Sequence, residues 1–180
     1  MSMKSRWLVH IAWVAMFAAL AGCAAPPPSE PTFYQSLAQP DAVVDAAAAA
    51  SMISGFRNNN GLPPVRVDPE LMRMASEQAH AMAAHNKMEH DVGRPFRDRI
   101  RNSPFRNTVA VENISAGYHT LAEAFSGWRD SPPHRANMLN ASVTRMGIAA
   151  VYAPGSKYKV FWALILAGEG RQASATYHWD

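Results

Sequence analysis

The sequence predicts an α+β chain folded as a three-layer α/β/α sandwich. Helical patterns come first along the chain, and two strand patterns close it. The last strand pattern includes Val160–Leu166, in which every residue is apolar, so both faces of that strand are expected to be covered. A sheet with helices on both of its faces has three layers.

Residues 1–22 have the features of an export signal. Lys4 and Arg6 form a basic start, and the apolar stretch over 7–20 that follows is too short to span a bilayer comfortably. We therefore expect these residues to be removed from the exported protein. No internal repeat or second linker interrupts the rest of the chain.

Cys23 is predicted to carry a lipid. Residues 20–23 read Leu-Ala-Gly-Cys and resemble the bacterial lipobox, in which a signal peptidase cuts before a lipid-modified cysteine. Cys23 is the only cysteine of the chain and cannot form an internal disulfide. The alternative is a stray thiol near a conventional cleavage site. Because no Asp follows the cysteine, we expect an anchor in the outer membrane, facing the periplasm.

The remaining chain divides into a tether, one domain and a tail. The lipidated cysteine and a proline-rich tether occupy 23–40, and a tether of this length in polyproline II form reaches about 50 Å. The domain is expected over 41–168, which is long enough to bury a core without disulfides. A C-terminal tail over 169–180 ends the chain.

The two longest helices are predicted near the start of the domain. The first spans Asp41–Arg57, is rich in alanine, and is ended by three asparagines and a glycine. The second begins after Asp68, which acts as the N-cap, with Pro69 in the first helical position. It runs to about Asn86, and its spacing places His80 on the exposed face.

Shorter elements complete the domain. Pro95–Arg101 predicts a basic helix, Thr120–Trp128 repeats apolar residues at helical spacing, and a helix capped by Ser131 continues to Leu139. The predicted strands are Val109–Ile114, Arg145–Tyr152 and Tyr158–Ala167, the last two joined by a turn at Pro154 and Gly155.

Composition and charge narrow the classes of function. The chain has 180 residues, of which 48% are hydrophobic and 17% charged, the balance of one globular domain. Its formal charge is +3, and without Lys4 and Arg6 it has 15 basic against 14 acidic residues. The basic residues are interleaved with acids, so no binding of nucleic acid is expected.

Three motifs resemble one known family. They are His-x-x-Gly-x-x-Phe-x-x-Arg from His90, Glu-Asn-Ile from Glu112, where Val111 replaces a usual glycine, and Trp-x-x-Ser-Pro-x-His-Arg-x-Asn-x-Leu from Trp128. Together they resemble the CAP superfamily, with SCP or PR-1-like domains, in its disulfide-free bacterial form. The resemblance covers roughly Val43 to Ala167. It implies a small, mainly antiparallel central sheet within the three layers.

The resemblance also implies a metal cleft. In the family, two histidines and two glutamates often hold a divalent ion such as zinc. His90 and His134 match the histidines, Glu112 matches the first glutamate, and Ser131 stands in place of the second. Two imidazoles and one carboxylate are enough for a three-ligand zinc site. Structural roles stay open, because Ser131 suits an N-cap and Glu112 lies in a half-buried strand.

The sequence leaves catalysis undecided. It has no Gly-x-Ser-x-Gly elbow, no His-Glu-x-x-His motif, no phosphate-binding glycine loop and no cysteine pair. We expect a ligand-binding module of the cell envelope, with a lipid, a glycan or a protein as ligand. The alternative is a zinc-dependent hydrolase of peptides, esters or phosphodiesters that uses His90, Glu112 and His134. A structural role is the third reading, with Tyr177, His178 and Trp179 docking a partner.

Overall fold

The computed structural model describes residues 30–169. The predicted signal peptide over 1–22, Cys23, most of the predicted tether and residues 170–180 of the tail lie outside the described residues. Within residues 30–169, no helix combines the length and the apolar character needed to cross a membrane.

Four strands form one sheet in the order β1-β3-β4-β2. Strand β1 is parallel to β3, and the β3–β4 and β4–β2 pairs are antiparallel. The predicted small and mainly antiparallel sheet is therefore confirmed. The strands are β1 Arg66–Val67, β2 Ala110–Ala116, β3 Arg145–Ala153 and β4 Lys159–Ala167.

Helices cover both faces of this sheet. The described helices are α1 Ala46–Asn58, α2 Pro69–His85, α3 Phe96–Arg101, α4 Leu121–Asp130 and α5 Pro132–Met138.

The central strand β4 divides the core into two clusters. Trp162, Leu164 and Leu166 point to one face and pack in a cluster with residues of α1, α4 and α5. Phe161 and Ile165 point to the other face and pack in a cluster with residues of α2. The absence of alternation in β4 thus has the predicted cause, because both of its faces are buried.

Gly147 lets helix α2 lie close against strand β3. A Cβ atom at this position would stand 2.0 Å from the carbonyl carbon of Leu71 and 2.3 Å from the amide nitrogen of Met72. The start of α2 is as predicted, since the carboxylate of Asp68 accepts hydrogen bonds from the backbone N–H groups of Glu70 and Leu71. The helix is thereby fixed at its first turn, directly over the sheet.

The predicted start of the first helix is wrong. Helix α1 begins at Ala46 instead of Asp41, and its N-cap is Asp45. Asp45 Oδ1 accepts the backbone N–H of Ala48 at 2.9 Å, which satisfies a donor that the helix itself leaves free. Asp41 has a positive φ of 59° and stands outside the helix.

The end of the predicted tether belongs to the domain. Leu37 is buried in the core, and its N–H donates to the carbonyl of His119 at 2.7 Å. Upstream, Thr32 begins a short 3-10 turn and its hydroxyl donates to Asp45 Oδ2 at 2.8 Å. The domain therefore begins before the predicted boundary at Asp41, because Phe33, Leu37 and Ala38 of the predicted tether pack in or against the core.

Candidate functional site

A buried carboxylate lies at the centre of the candidate site. Glu112, in β2, has a side chain that is 1% exposed, and its Oε1 accepts a hydrogen bond from His90 Nδ1 at 2.9 Å. Its Oε2 lies 2.8 Å from Nη2 of Arg99, whose side chain is 0% exposed. His90 lies above this pair with its side chain 51% exposed.

Helix α3 and the preceding loop hold Arg99 in place. Arg99 Nε donates to the carbonyl of Arg94 at 3.1 Å, and Nη2 donates to the carbonyl of His90 at 3.2 Å. The guanidinium carbon lies 5.2 Å from the centre of the Phe96 ring, a cation–π contact. Within the described residues, Arg99 Nη1 donates no well-directed hydrogen bond and Glu112 Oε2 accepts none. The contact between Arg99 and Glu112 is therefore mainly an electrostatic attraction between opposite charges.

Two asparagines bring His134 to the same region. Asn113 Nδ2 donates to the carbonyl of His134 at 3.0 Å, and Asn137 Nδ2 donates to Asn113 Oδ1 at 2.8 Å. Asn137 also donates to the carbonyl of Glu112 at 3.3 Å. Both asparagines thus satisfy backbone groups, and they join helix α5 to strand β2.

The two histidines have opposite pKa shifts. The hydrogen bond that His90 donates to Glu112 raises the pKa of His90 above its usual value. Burial lowers the pKa of His134, and the positive charge on His90 lowers it further. His134 is the third residue of α5, where the helix dipole also favours a neutral ring. The site thus combines a ring that prefers the charged form with one that prefers the neutral form.

Ser131 contributes less than the sequence predicts. It occupies the N-cap position of α5, but its side chain makes no capping hydrogen bond. The described structure also gives its hydroxyl no hydrogen bond to His90, Glu112 or His134. Of the four predicted cleft residues, the contacts link Glu112 directly to His90 and link His134 to β2 through its backbone carbonyl.

The side chains present do not fit a three-ligand zinc site in this arrangement. Among residues 30–169, no group of three or more His, Cys, Asp or Glu side chains is placed to hold a metal ion. Both oxygens of Glu112 already face cationic partners, and the guanidinium of Arg99 would repel a second cation beside it. This geometry does not favour the zinc site that the family resemblance implies, and zinc titration tests that site directly.

Sequence reasoning missed the role of Arg57. Its side chain is fully buried and donates to the carbonyls of Pro63, Met138, Asn140 and Val143 at 2.7–3.0 Å. These bonds join α1 to the chain that follows α5, so they position the helix of His134. In the sequence, Arg57 stands just before the asparagines that end α1, and this position does not predict which carbonyl groups its side chain binds.

Known proteins share this fold and part of this sequence. "Uncharacterized protein YkwD" of Bacillus subtilis (strain 168) is 32% identical over 98 residues, which are 53% of this chain and 38% of that protein. An extracellular protein containing a SCP domain from Bacillus anthracis str. Ames superposes with a TM-score of 0.58 and 24% identity, covering 68% of this chain and 40% of that one.

A third relative has this fold over almost its whole length. An outer surface protein from Borrelia burgdorferi superposes with a TM-score of 0.60 and 17% identity, over 71% of this chain and 98% of that one. Because their sequence identities to this chain are only 24% and 17%, the structures from Bacillus anthracis and Borrelia burgdorferi are evidence for the fold alone. The model of the CAP, or cysteine-rich secretory protein, family matches residues 50–166, which include His90, Glu112 and His134. The chain therefore belongs to the CAP family of cysteine-rich secretory proteins.

Proposed function

We propose that this chain is an exported, lipid-anchored protein of the bacterial cell envelope whose CAP domain binds a ligand at the cleft of His90, Glu112, Ser131 and His134. The observation that carries the proposal is the buried Glu112–Arg99 pair beneath a half-exposed His90. Two structural relatives, one an extracellular protein and one an outer surface protein, support export. The lipobox supports anchoring at Cys23, and the absence of an Asp after this cysteine favours the outer membrane, facing the periplasm.

The cleft offers a hydrogen-bond donor and an acceptor to a ligand. Glu112 engages His90 Nδ1, which leaves Nε2 as the ring's free nitrogen and favours its protonated, donating form. His134 prefers the neutral ring, which keeps one nitrogen as an acceptor. Hydroxyl, amide and headgroup atoms of a glycan, a protein or a lipid match this pair of groups.

The binding proposal is tested by native mass spectrometry of the full-length protein extracted from its envelope. We expect a bound mass on the wild-type protein that is absent from a His90→Ala, His134→Ala double variant. His80→Ala, which removes an exposed histidine of α2, is the matched control and should retain the mass. An equal bound mass on the double variant, or none on any form, would contradict ligand binding at the cleft.

Hydrolysis is the second candidate function. Its supporting observation is the opposite pKa shifts of His90 and His134, since acid and base groups in a hydrolase need pKa values pushed apart. In the zinc-dependent form, His90, Glu112 and His134 would be the ligands, and the ion would supply a more acidic bound water. The Glu112–Arg99 pair argues against that form, as described above.

Calorimetric titration with zinc tests the zinc-dependent form of the second candidate. From the engagement of both Glu112 oxygens, we expect no tight stoichiometric binding to the full-length protein. Tight binding of one ion that the His90→Ala, His134→Ala variant loses would establish a zinc site and favour hydrolysis. His80→Ala again serves as the control for zinc bound to exposed imidazoles.

A further inference from the structure

A recess lies beside α3, apart from the site of His90, Glu112 and His134. It is a groove of about 430 Å³, and none of the proposed cleft residues lines it. Its apolar lining comes from Phe96 and Ile100 of α3 and from Ala110 at the start of β2. Its remaining lining residues are Arg97, Arg101, Arg106 and Thr108.

Two of the three arginines in this groove are unpaired within the described structure. Arg101 contacts Asp98 at 3.0 Å. Arg97 and Arg106 are exposed, and neither guanidinium contacts a carboxylate or a carbonyl of residues 30–169. Of the other exposed or partly exposed arginines, five contact carboxylates, namely Arg66, Arg73, Arg94, Arg129 and Arg145. Arg135 donates instead to the backbone carbonyl of Arg129. Arg97 and Arg106 therefore give the groove positive charge that no carboxylate of the described residues neutralises.

The apolar part of the groove is held in place by the core. The ring of Phe96 lies against the buried guanidinium of Arg99, and that guanidinium is bound to Glu112. Phe96, Ile100 and Ala110 all pack against the cluster between α2 and the sheet. A ligand would meet this apolar surface with little rearrangement of the protein.

We propose that this groove binds a small soluble organic anion: a phosphate, sulfate or carboxylate group joined to an aromatic or aliphatic body. Free guanidiniums suit the oxygens of such a group, and the apolar lining suits the body. The volume is in the range of sites for small molecules, roughly 300–1,000 Å³. The apolar residues line a recess and do not protrude, which favours a soluble ligand over a membrane surface. This site goes beyond the proposed function of the histidine cleft.

The proposal is tested with 1-naphthyl phosphate as the probe, titrated by calorimetry into the full-length protein. We expect saturable binding at one site, at least tenfold tighter than that of 1-naphthol or of inorganic phosphate. An Arg97→Gln, Arg106→Gln double variant should weaken binding at least tenfold. Arg129→Gln on α4, an exposed arginine in the opposite helical layer, is the matched control and should bind as the wild type does.

Three outcomes would overturn the proposal. Equal binding by the double variant would place the probe elsewhere, and equal binding of 1-naphthol would show that charge plays no part. Failure to bind the probe, together with binding to anionic phospholipid vesicles that the double variant loses, would make the patch a membrane contact. All substituted residues are exposed, so folding should survive, and circular dichroism of each variant checks this.

Discussion

Two buried arginines stabilise the region around the site, and each meets the cost of burial in a different way. Arg99 pairs with a carboxylate, whereas Arg57 bonds to backbone carbonyls alone. Burial accordingly lowers the pKa of Arg57 below its usual value. Removing one partner of a buried charged pair commonly costs about 3–5 kcal/mol, because the other group stays buried without compensation. Glu112 thus has a structural task in addition to orienting His90.

At the residue scale, the pKa of His90 should lie above 6.5 and that of His134 below it. Glu112 stabilises the charged ring of His90, and burial disfavours the charged ring of His134. Heteronuclear NMR titration of the imidazole resonances measures both values. In concentrated urea the two values should converge near 6.5, which serves as the control. The reverse order in the folded protein would show that the two environments are misassigned.

These shifts give the sign of a pH effect on stability. Because the pKa of His90 is raised on folding, its contribution is fully present below about pH 6.5 and is lost as the pH rises through its folded value. The pKa of His134 is lowered, so its contribution is present above about pH 6.5 and is lost as the pH falls through its folded value. The contribution of His90 is therefore lost toward alkaline pH, and the contribution of His134 is lost toward acidic pH.

At the scale of elements, the contact between α2 and β3 depends on the missing side chain of Gly147. Gly147→Ala should lower the free energy of unfolding by about 3 kcal/mol, because its Cβ meets the backbone of Leu71, which cannot give way. Gly55→Ala in α1 is the matched control, since its Cβ meets nothing within 4 Å. It should raise stability by about 0.5–1 kcal/mol. Urea unfolding measures both, and equal effects would contradict a close contact.

The sequence predicts elements that carry their own local signals. Asp68 and Pro69 mark the start of α2, and the apolar run of β4 indicates burial on both faces. Strand β1 has two residues and no period, so only its pairing with β3 makes it a strand. The alanine run of α1 shows helix propensity but not the first residue, which depends on the bond to Asp45.

The sequence predicts which residues form the site, but it does not predict which of them contact one another. His90, Glu112 and His134 stand in recognisable motifs, and Arg99 completes the motif of His90. The spacing of these residues along the chain does not show that the two oxygens of Glu112 contact His90 and Arg99. That fact arises when β2, α3 and the loop before α3 meet in the folded domain.

At the scale of the whole molecule, Cys23 should decide where the protein is found. Cys23→Ser is expected to move it from the membrane fraction to the soluble fraction of the envelope, because two or three acyl chains provide stable attachment. Mass spectrometry of the wild-type protein should show the added lipid. Ser29→Ala, in the same segment, is the control and should stay in the membrane. A membrane-bound Cys23→Ser protein without lipid would refute the anchor.

The packing of Leu37 and Thr32 against the domain also limits how far the domain can range. Only residues 24–31 remain between the proposed anchor and the first contacts of the fold, a reach of about 25 Å at most, half that of the predicted tether. The space open to a tethered body grows with the cube of its reach, so it shrinks about eightfold. Any target held in the same membrane patch would meet the cleft at a correspondingly higher effective concentration.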